Sequence, residues 1–189
     1  MKTALLLSLL FACPALAQDF QCLGPAGNTA CGYHCVTNGG RTACSATPSG
    51  VCIAQYGRVL CFDPPAEVLR FGEAALPAPQ CLSNYGQLAC GYQCEANYGQ
   101  VRCAATPWGQ CLSNYGQVVC ADPPMRWVWA TGRMPPKIEC RANFGQVACG
   151  YGCEDNYGQV RCAQRPGARC FSYYGRVLCS DDPGIHQGL

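Results

Sequence analysis

The stretch CLSNYGQLACGYQCEANYGQVRC, residues 81–103, contains two copies of a ten-residue unit that begins and ends with cysteine. This unit, C-x8-C, occurs nine times between Cys22 and Cys179, and every copy has glycine five residues after its first cysteine. A glycine fixed at the centre indicates a turn with positive φ, and residues such as Val101 favour flanking strands. Each unit is therefore predicted to form a short β-hairpin.

The cysteines of these units fall into three sets of six with identical internal spacing. The steps within each set are 9, 4, 9, 8 and 9 residues, and the sets repeat with a period of 59. Such self-similarity identifies a repeat protein. The predicted fold class is small, disulfide-rich and all-β, with three tandem six-cysteine modules of three short β-hairpins each. The candidate disulfide cysteines are Cys22, Cys31, Cys35, Cys44, Cys52, Cys61, Cys81, Cys90, Cys94, Cys103, Cys111, Cys120, Cys140, Cys149, Cys153, Cys162, Cys170 and Cys179.

The length of the hairpin loop decides which cysteines can pair. With a loop of two residues (Tyr85-Gly86) or four, Cys81 faces Cys90 at a position where Cα atoms lie about 4.5 Å apart, close enough for a disulfide. A three-residue Asn-Tyr-Gly loop with a glycine bulge would instead place the two cysteines on opposite faces. Tyrosine is a poor first residue for a type I′ turn, so this alternative stays open. We favour the local pairs, Cys22–Cys31, Cys35–Cys44, Cys52–Cys61 and their equivalents.

Disulfides are expected to take the place of a hydrophobic core. A module of about 40 residues buries too little apolar surface to fold securely without crosslinks. In the chain-entropy model, each ten-residue loop contributes about 2–3 kcal/mol, so three loops contribute roughly 8 kcal/mol per module. That sum is comparable to the net stability of a whole domain.

Residues 1–17 are predicted to be a signal peptide. Ala4 to Ala12 form an apolar run too short to span a bilayer, and Ala15-Leu16-Ala17 is an A-x-A cleavage site. The alternative is lipidation of Cys13, which would anchor the protein through a lipid. We expect the chain to be secreted, extracellular or periplasmic, in an oxidising compartment where thiols pair. No later apolar stretch is expected to form a transmembrane segment.

The repeats also predict the domain organisation. We expect a signal peptide at 1–17, module 1 at 18–62, a proline-bounded connector at 63–80, module 2 at 81–121, a second proline-bounded connector at 122–139, module 3 at 140–183 and a tail at 184–189. The connectors have apolar middles, 67–71 and 126–130, which are expected to pack against a neighbouring module or pair as strands. The chain after Cys179 is expected to be frayed.

Composition argues against several functional classes. Only 13% of residues are charged and the net charge is +2, so the strong basic field of a nucleic-acid-binding protein is absent. No C-x2-C pair occurs and the only histidines are His34 and His186, which disfavours zinc sites, thioredoxin-like motifs and general-base catalysis. Because Gln93 and Gly152 occupy the positions equivalent to His34, we expect this histidine to be an incidental surface residue. The sequence predicts no catalytic residue, metal site, cofactor or enzyme activity.

The candidate ligand-binding residues are aromatic and lie at the predicted turns. Seven of the nine hairpins carry one before the central glycine: Tyr56, Tyr85, Tyr98, Tyr115, Phe144, Tyr157 and Tyr174. Flat rings could stack on sugar rings, while neighbouring amides such as Asn84 and Gln87 could hydrogen-bond their hydroxyls. Alternatively, each ring could cover the disulfide and strand of the neighbouring hairpin. The presence of an aromatic residue in almost every hairpin favours this packing interpretation.

Three further groups of residues also have two interpretations. Tyr33, Tyr92 and Tyr151 of the C-G-Y-x-C segments are expected to be structural. Trp127 and Trp129 could form an exposed binding edge, but an inter-module plug is favoured. The third module contains Arg141, Arg161, Arg165, Arg169 and Arg176, which could attract an anionic polymer, although a solvated face is the favoured interpretation.

The string C-x2-N-Y-G-Q-x2-C-G-Y-x-C-x2-N-Y-G-Q-V-x-C-A, residues 81–104 with a close copy at 140–163, is similar to uncharacterised secreted cysteine-rich repeat proteins of bacteria. The resemblance implies secretion and a shared architecture, and it implies no activity. Module 1 departs from the string at residues 22–27 and 35–40, where the aromatic turns are replaced.

Three functions stay open at this point. The first is a non-enzymatic secreted structural or binding protein stabilised by nine disulfides. The second is a multivalent carbohydrate-binding protein that uses the turn aromatics. The third is a secreted inhibitor or toxin that presents a stapled loop, for example Thr106 to Gly109. The candidate partners are a polysaccharide or a cell-surface protein, and no nucleic acid.

Overall fold

The computed structural model describes residues 20–71, 76–126 and 134–183. The predicted signal peptide with Cys13, the two tryptophans Trp127 and Trp129, and the tail with His186 lie outside these residues. The strands are β1 Gln21–Leu23, β2 Ala30–Asn38, β3 Arg41–Ser45, β4 Val51–Gln55, β5 Arg58–Phe62, β6 Gln80–Asn84, β7 Gln87–Asn97, β8 Gln100–Ala104, β9 Gln110–Asn114, β10 Gln117–Ala121, β11 Glu139–Asn143, β12 Gln146–Asn156, β13 Gln159–Ala163, β14 Cys170–Tyr173 and β15 Arg176–Cys179. A short helix, α1, spans Ala66–Leu69.

Antiparallel pairing of these strands confirms the predicted all-β fold. Three-stranded sheets, β1-β2-β3, β6-β7-β8 and β11-β12-β13, alternate along the chain with two-stranded sheets, β4-β5, β9-β10 and β14-β15. Strands β2, β7 and β12 are each shared by two hairpins, so the six sheets contain nine hairpins. The chain is therefore a series of small hairpins rather than one large sheet.

The pairing register confirms the local disulfides. In the hairpin of β6 and β7, Asn84 pairs with Gln87 and Cys81 pairs with Cys90, so the loop is the two-residue Tyr85-Gly86. All nine disulfides join cysteines nine residues apart, with Cα–Cα distances of 3.9–4.1 Å. The alternative three-residue loop is wrong for these turns. The first hairpin differs, because Leu23 pairs with Ala30 and leaves a six-residue loop.

Strand β7 folds back on itself at its middle. A straight strand of 11 residues would extend over roughly 33 Å and place the turns at its two ends far apart. Instead the register shifts between Tyr92 and Glu95, and Gln93 adopts a left-handed φ of 47°. The equivalent residues His34 and Gly152 have φ values of 48° and 46°. This single residue reverses the strand and lets both hairpins point in the same direction.

His34 has a structural role that the sequence analysis did not assign. It occupies the fold-back position of β2, is half-buried, and its Nδ1 lies 2.5 Å from the carbonyl oxygen of Gly50. The expectation of an incidental surface residue is therefore wrong. The side chain ties the second hairpin to the segment that leads into the third.

Successive hairpins stack on one another, first strand on first strand and second strand on second strand. At the two junctions between modules, a disulfide sulfur rests on a backbone carbonyl of the preceding hairpin. Cys90 Sγ lies 4.0 Å from the Leu60 oxygen, and Cys149 Sγ lies 3.4 Å from the Val119 oxygen. A disulfide sulfur carries no hydrogen, so these are packing contacts. The bridges thus fill the space that apolar side chains fill in larger proteins.

The described core consists of two small clusters beside these junctions. One contains Val68, Tyr92 and Ala104, and the other contains Ile138, Tyr151, Ala163, Cys149 and Cys179. Val68 belongs to α1, so the first connector does pack on a module, although as a helical turn and not as a strand. Tyr92 and Tyr151 are 2% and 5% exposed, which confirms their structural role. Tyr33 is half-buried, with its ring edge-on to Phe20.

An aspartate two residues after the last cysteine of each module fixes the loop that precedes the third hairpin. Asp63 accepts hydrogen bonds from the backbone N–H groups of Ala46 and Thr47 and from the Thr47 hydroxyl, at 2.8–3.0 Å. Burial alone would raise the pKa of Asp63, but these three donors outweigh it and lower the pKa. Asp122 repeats all three bonds, and Asp181 accepts from two backbone N–H groups.

Two expectations fail because of these aspartates. Asp122 binds Thr106, which is only 3% exposed, and Pro107 beside it is also buried. The Thr106–Gly109 loop is therefore turned inward and is not an exposed inhibitor loop. The chain just after Cys179 is also not frayed, because Asp181 and Asp182 hydrogen-bond to the third module.

Candidate binding surface at the hairpin turns

The seven turn aromatics are exposed to solvent. Tyr56 is 68% exposed, and the other six, Tyr85, Tyr98, Tyr115, Phe144, Tyr157 and Tyr174, are 81–92% exposed. Rings in such positions cover neither a neighbouring disulfide nor a strand. The packing interpretation is therefore wrong for these residues, and their rings are free to contact another molecule.

The turns lie side by side along one edge of the stack. The position that a Cβ atom on Gly99 would occupy is 3.9 Å from the Cβ of Tyr85, and the same relation joins Gly116 to Tyr98 at 3.8 Å. Gly145 with Tyr115 and Gly158 with Phe144 continue the series, each at 3.9 Å. These contacts join the five turns from Tyr85 to Tyr157 in one row. We call the seven exposed turn rings, from Tyr56 to Tyr174, the aromatic ridge.

The rings of the aromatic ridge stand apart from one another. The ring of Tyr174 is edge-on to that of Tyr173, with the ring centroids 4.6 Å apart. Among the described residues, no two rings of the ridge contact each other. A cleft of about 380 Å³ is lined by Tyr115, Phe144 and Gly145. The faces of these rings are consequently open to flat apolar groups.

The seven turn aromatics adopt a left-handed backbone conformation, which is unfavourable for aromatic residues. All seven have φ between 41° and 51°, and the glycine that follows each of them also has positive φ, as a type I′ turn requires. The left-handed conformation costs an ordinary residue about 1–2 kcal/mol, whereas glycine or asparagine adopts it readily. An exposed ring recovers little of this energy through burial. Stability therefore gives no reason for an aromatic residue at these positions.

The glutamines that follow the turns hold neighbouring hairpins together. Gln100 Oε1 accepts a hydrogen bond of 3.2 Å from the backbone N–H of Val118 in the next hairpin. Gln146 and Gln159 make equivalent bonds, of 3.2 Å to Val160 and 3.4 Å to Val177. These three glutamines therefore have a structural role, although amides beside the turns were candidates for hydrogen bonds to a ligand.

The turns in the middle of the ridge carry no charge. Each of the five turns from Tyr85 to Tyr157 reads Asn-aromatic-Gly-Gln, whereas arginine follows the turn glycine in hairpins near both ends, at Arg41, Arg58 and Arg176. Arg58 donates a 3.3 Å hydrogen bond to the carbonyl oxygen of Gly86. The central surface therefore offers flat rings among neutral amides.

Two arginines of the third module are neutralised by carboxylates. Arg141 pairs with Asp155 at 3.1 Å, and Arg161 binds both oxygens of Asp182 at 2.5 and 2.7 Å. The hydrogen bond to Arg161 lowers the pKa of Asp182, and the same bond raises the pKa of Arg161. This pairing supports the interpretation of a solvated face over an anion-binding patch.

One group of potential metal ligands occurs in the described part of the chain, at Cys179, Asp181 and Asp182. Cys179 is in a disulfide, and both carboxylates already accept hydrogen bonds from protein groups. These atoms are committed to other partners and do not form a plausible metal centre. No helix within the described ranges has the length and hydropathy needed to cross a membrane.

A scan against protein-family models found no match for this chain, and neither a search of curated proteins nor one of solved structures found a similar protein. The regular cysteine repeat is present in the structure. The similarity to secreted bacterial repeat proteins stays an expectation from the sequence.

Proposed function

We propose that this protein is a secreted, non-enzymatic binding protein whose aromatic ridge holds a linear, uncharged polysaccharide. The main observation in support of this proposal is the strained backbone of the ridge. Seven aromatic residues adopt left-handed φ values and remain largely exposed, an arrangement that costs stability. Strained residues that gain nothing from packing are characteristic of functional sites.

The chemistry of the ridge favours a sugar polymer. Rings that are open on their faces can stack against the apolar faces of sugar rings, and the phenol groups can exchange hydrogen bonds with hydroxyls. The five central turns carry no charge, so binding a neutral polymer there would not bury a charged group without a partner. An extended ligand is favoured because the rings form a row and not a pocket.

Several weak contacts along one polymer would bind it through avidity. When the first ring engages, each further ring binds at a high effective concentration, so affinity depends on the number of rings that the polymer reaches. The disulfides support this mode of binding, because they hold the turns in place before the ligand arrives and reduce the entropy lost on binding.

Secretion and the absence of catalysis are part of the same proposal. Nine disulfides are compatible with an oxidising compartment, as the predicted signal peptide at 1–17 suggests. The lipid-anchored form through Cys13 is the alternative. Enzyme activity is disfavoured because the chain has only two histidines, and the ring of one of them, His34, is engaged with the carbonyl oxygen of Gly50.

The proposal is tested by affinity electrophoresis and pull-down with neutral glucans, mannans and insoluble cellulose and chitin. The triple variant Tyr85→Ser, Tyr98→Ser, Tyr115→Ser should lose most of the retention on whichever polymer binds the wild type, while each single variant should lose only part. The control is Met134→Ser, which removes an exposed apolar side chain that lies in no hairpin turn.

Retention that survives the triple variant would contradict the role of the ridge. If the wild type is retained on none of these polymers, the choice of ligand is wrong. Circular dichroism and the mass of the oxidised chain establish that each variant is folded with all its disulfides.

A further inference from the structure

The stack of hairpins ends with an apolar face that no part of the described chain covers. In the last hairpin, β14–β15, Phe171 is 45% exposed and Tyr173 is 60% exposed. The opposite face of this hairpin carries the Cys170–Cys179 bridge and Val177, which is 2% exposed. That face rests on the preceding hairpin, to which Ser172 and Val177 are hydrogen-bonded. Phe171 therefore points away from the stack.

The same face is covered one module earlier in the chain. Leu112 and Val119 of β9–β10 pack against a cluster that contains Ile138 of the second connector and Cys149 and Tyr151 of the following module. With the 59-residue period, Leu112 corresponds to Phe171 and Val119 corresponds to Leu178. The last hairpin thus presents the same kind of surface as the one on which the third module sits at the junction inside the chain.

The first module presents the complementary face at the other end. Its Cys22 and Cys31 are both exposed, and Phe20 is 62% exposed. In the later modules, the cysteines equivalent to Cys31 are Cys90 and Cys149, whose sulfur atoms rest on carbonyl groups of the preceding hairpin. In the first module, no described residue supplies such a carbonyl group to Cys31, which is exposed.

We propose that a second copy of this chain occupies the open face, so that the first module of one copy stacks on the last hairpin of another. Continuity with the two module junctions inside the chain supports this partner, since the same contact is made there with a period of 59 residues. In the stacked pair, Cys31 would rest on the Leu178 carbonyl, as Cys90 rests on that of Leu60.

The contact joins two different surfaces, so it is heterologous and can continue from copy to copy. Repeat proteins that stay monomeric usually have terminal repeats with a polar outer face. Here the two ends expose the rings of Phe171 and Phe20. The expected assembly is a linear stack of chains whose length increases with protein concentration. The proposal does not depend on the ligand of the aromatic ridge.

Sedimentation velocity of the oxidised, processed chain over a wide range of concentration tests the proposal. The wild type should form dimers and larger species as concentration rises. Phe171→Glu blocks one face and Phe20→Glu blocks the other, so each variant alone should remain monomeric. A mixture of the two variants should form dimers and nothing larger, because each chain keeps one free face.

Three results would overturn the proposal. They are a wild type that is monomeric at every concentration, association that persists in both single variants, and a mixture that remains monomeric. Tyr173→Lys provides a second variant of the last hairpin if Phe171→Glu fails to fold. The control Tyr174→Ser changes an exposed ring of the same hairpin on the ridge, and it should assemble like the wild type.

Discussion

Gly99 lies directly beside Tyr85, although the two residues belong to turns at opposite ends of β7. A Cβ atom on Gly99 would be 3.9 Å from the Cβ of Tyr85. This contact requires β7 to reverse at Gln93, and it brings successive turns into one row. In β7 and β12, one left-handed residue therefore brings the two turns of the strand side by side.

Replacing a ridge tyrosine by asparagine should stabilise the protein. Tyr98 has φ of 41°, and asparagine followed by glycine is the preferred pair for this turn. We expect Tyr98→Asn to raise the free energy of unfolding by about 0.5–1 kcal/mol, which corresponds to an increase in Tm of roughly 1–4 °C. Thermal unfolding followed by circular dichroism measures the shift. A decrease in Tm would show that the ring contributes to stability.

Alanine should be tolerated far less well at Gly91 than at Gly86. Both glycines have positive φ, so alanine is strained at either position and costs about 1–2 kcal/mol. At Gly91 the new Cβ would also overlap the carbonyl oxygen of Ala104, whereas at Gly86 nothing lies within 4 Å. We expect Gly86→Ala to fold with a lower Tm and Gly91→Ala to give little oxidised, folded protein. Equal yields and Tm values would contradict the close approach in β7.

A disulfide inside the stack should contribute more stability than the exposed one at its end. Removing any bridge over a ten-residue loop costs about 2–3 kcal/mol in the chain-entropy model. Cys111 of the Cys111–Cys120 bridge also packs against the core cluster of Val68, Tyr92 and Ala104, whereas Cys22–Cys31 is exposed. The double alanine variant of Cys111 and Cys120 should therefore have the lower denaturation midpoint. The double variant of Cys22 and Cys31 is its matched control, and equal midpoints would contradict the packing role of the bridges.

The Asp63 contacts should protect the fold until the pH becomes strongly acidic. The pKa of Asp63 is lower in the folded protein than its unfolded value of about 3.9. Its contribution to stability is therefore complete above about pH 4 and is lost as the pH falls through the folded-state pKa. Asp63→Asn should lower stability by about 1 kcal/mol at pH 7.

Thermal unfolding between neutral and acidic pH measures this difference between the wild type and Asp63→Asn. The two Tm curves should run parallel above about pH 4 and converge below it. A difference that persists unchanged in acid would mean that the charge of Asp63 has no part in holding the Ala46–Thr47 loop.

The hairpins and their disulfides could be predicted from the sequence because both depend on local spacing. Eight residues between the cysteines and a central glycine are sufficient to choose the register once the loop has two residues. The exposure of the turn aromatics could not be predicted, because it depends on how hairpins stack. An aromatic residue that precedes the turn glycine in seven of the nine hairpins is equally consistent with buried and with exposed rings.

The aspartate contacts correspond to a repeated position in the sequence that was not among the predicted structural residues. Asp63, Asp122 and Asp181 each follow the last cysteine of a module by two residues, with the same 59-residue period as the cysteines. Their partners are mostly backbone N–H groups, which have no sequence signature. The fold-back of the long strands could not be predicted either. The residue at the fold differs in each module, because His34, Gln93 and Gly152 adopt the same left-handed conformation with different side chains.

The pairing of each cysteine within its own hairpin also bears on how the protein matures. A loop of about ten residues closes in well under a microsecond, long before distant parts of an emerging chain can meet. If the chain is exported, as we propose, each bridge can be oxidised in turn, because the partner of every cysteine is the next one to emerge once the preceding pair has closed. Folding of the oxidised chain would then require little help from disulfide isomerases.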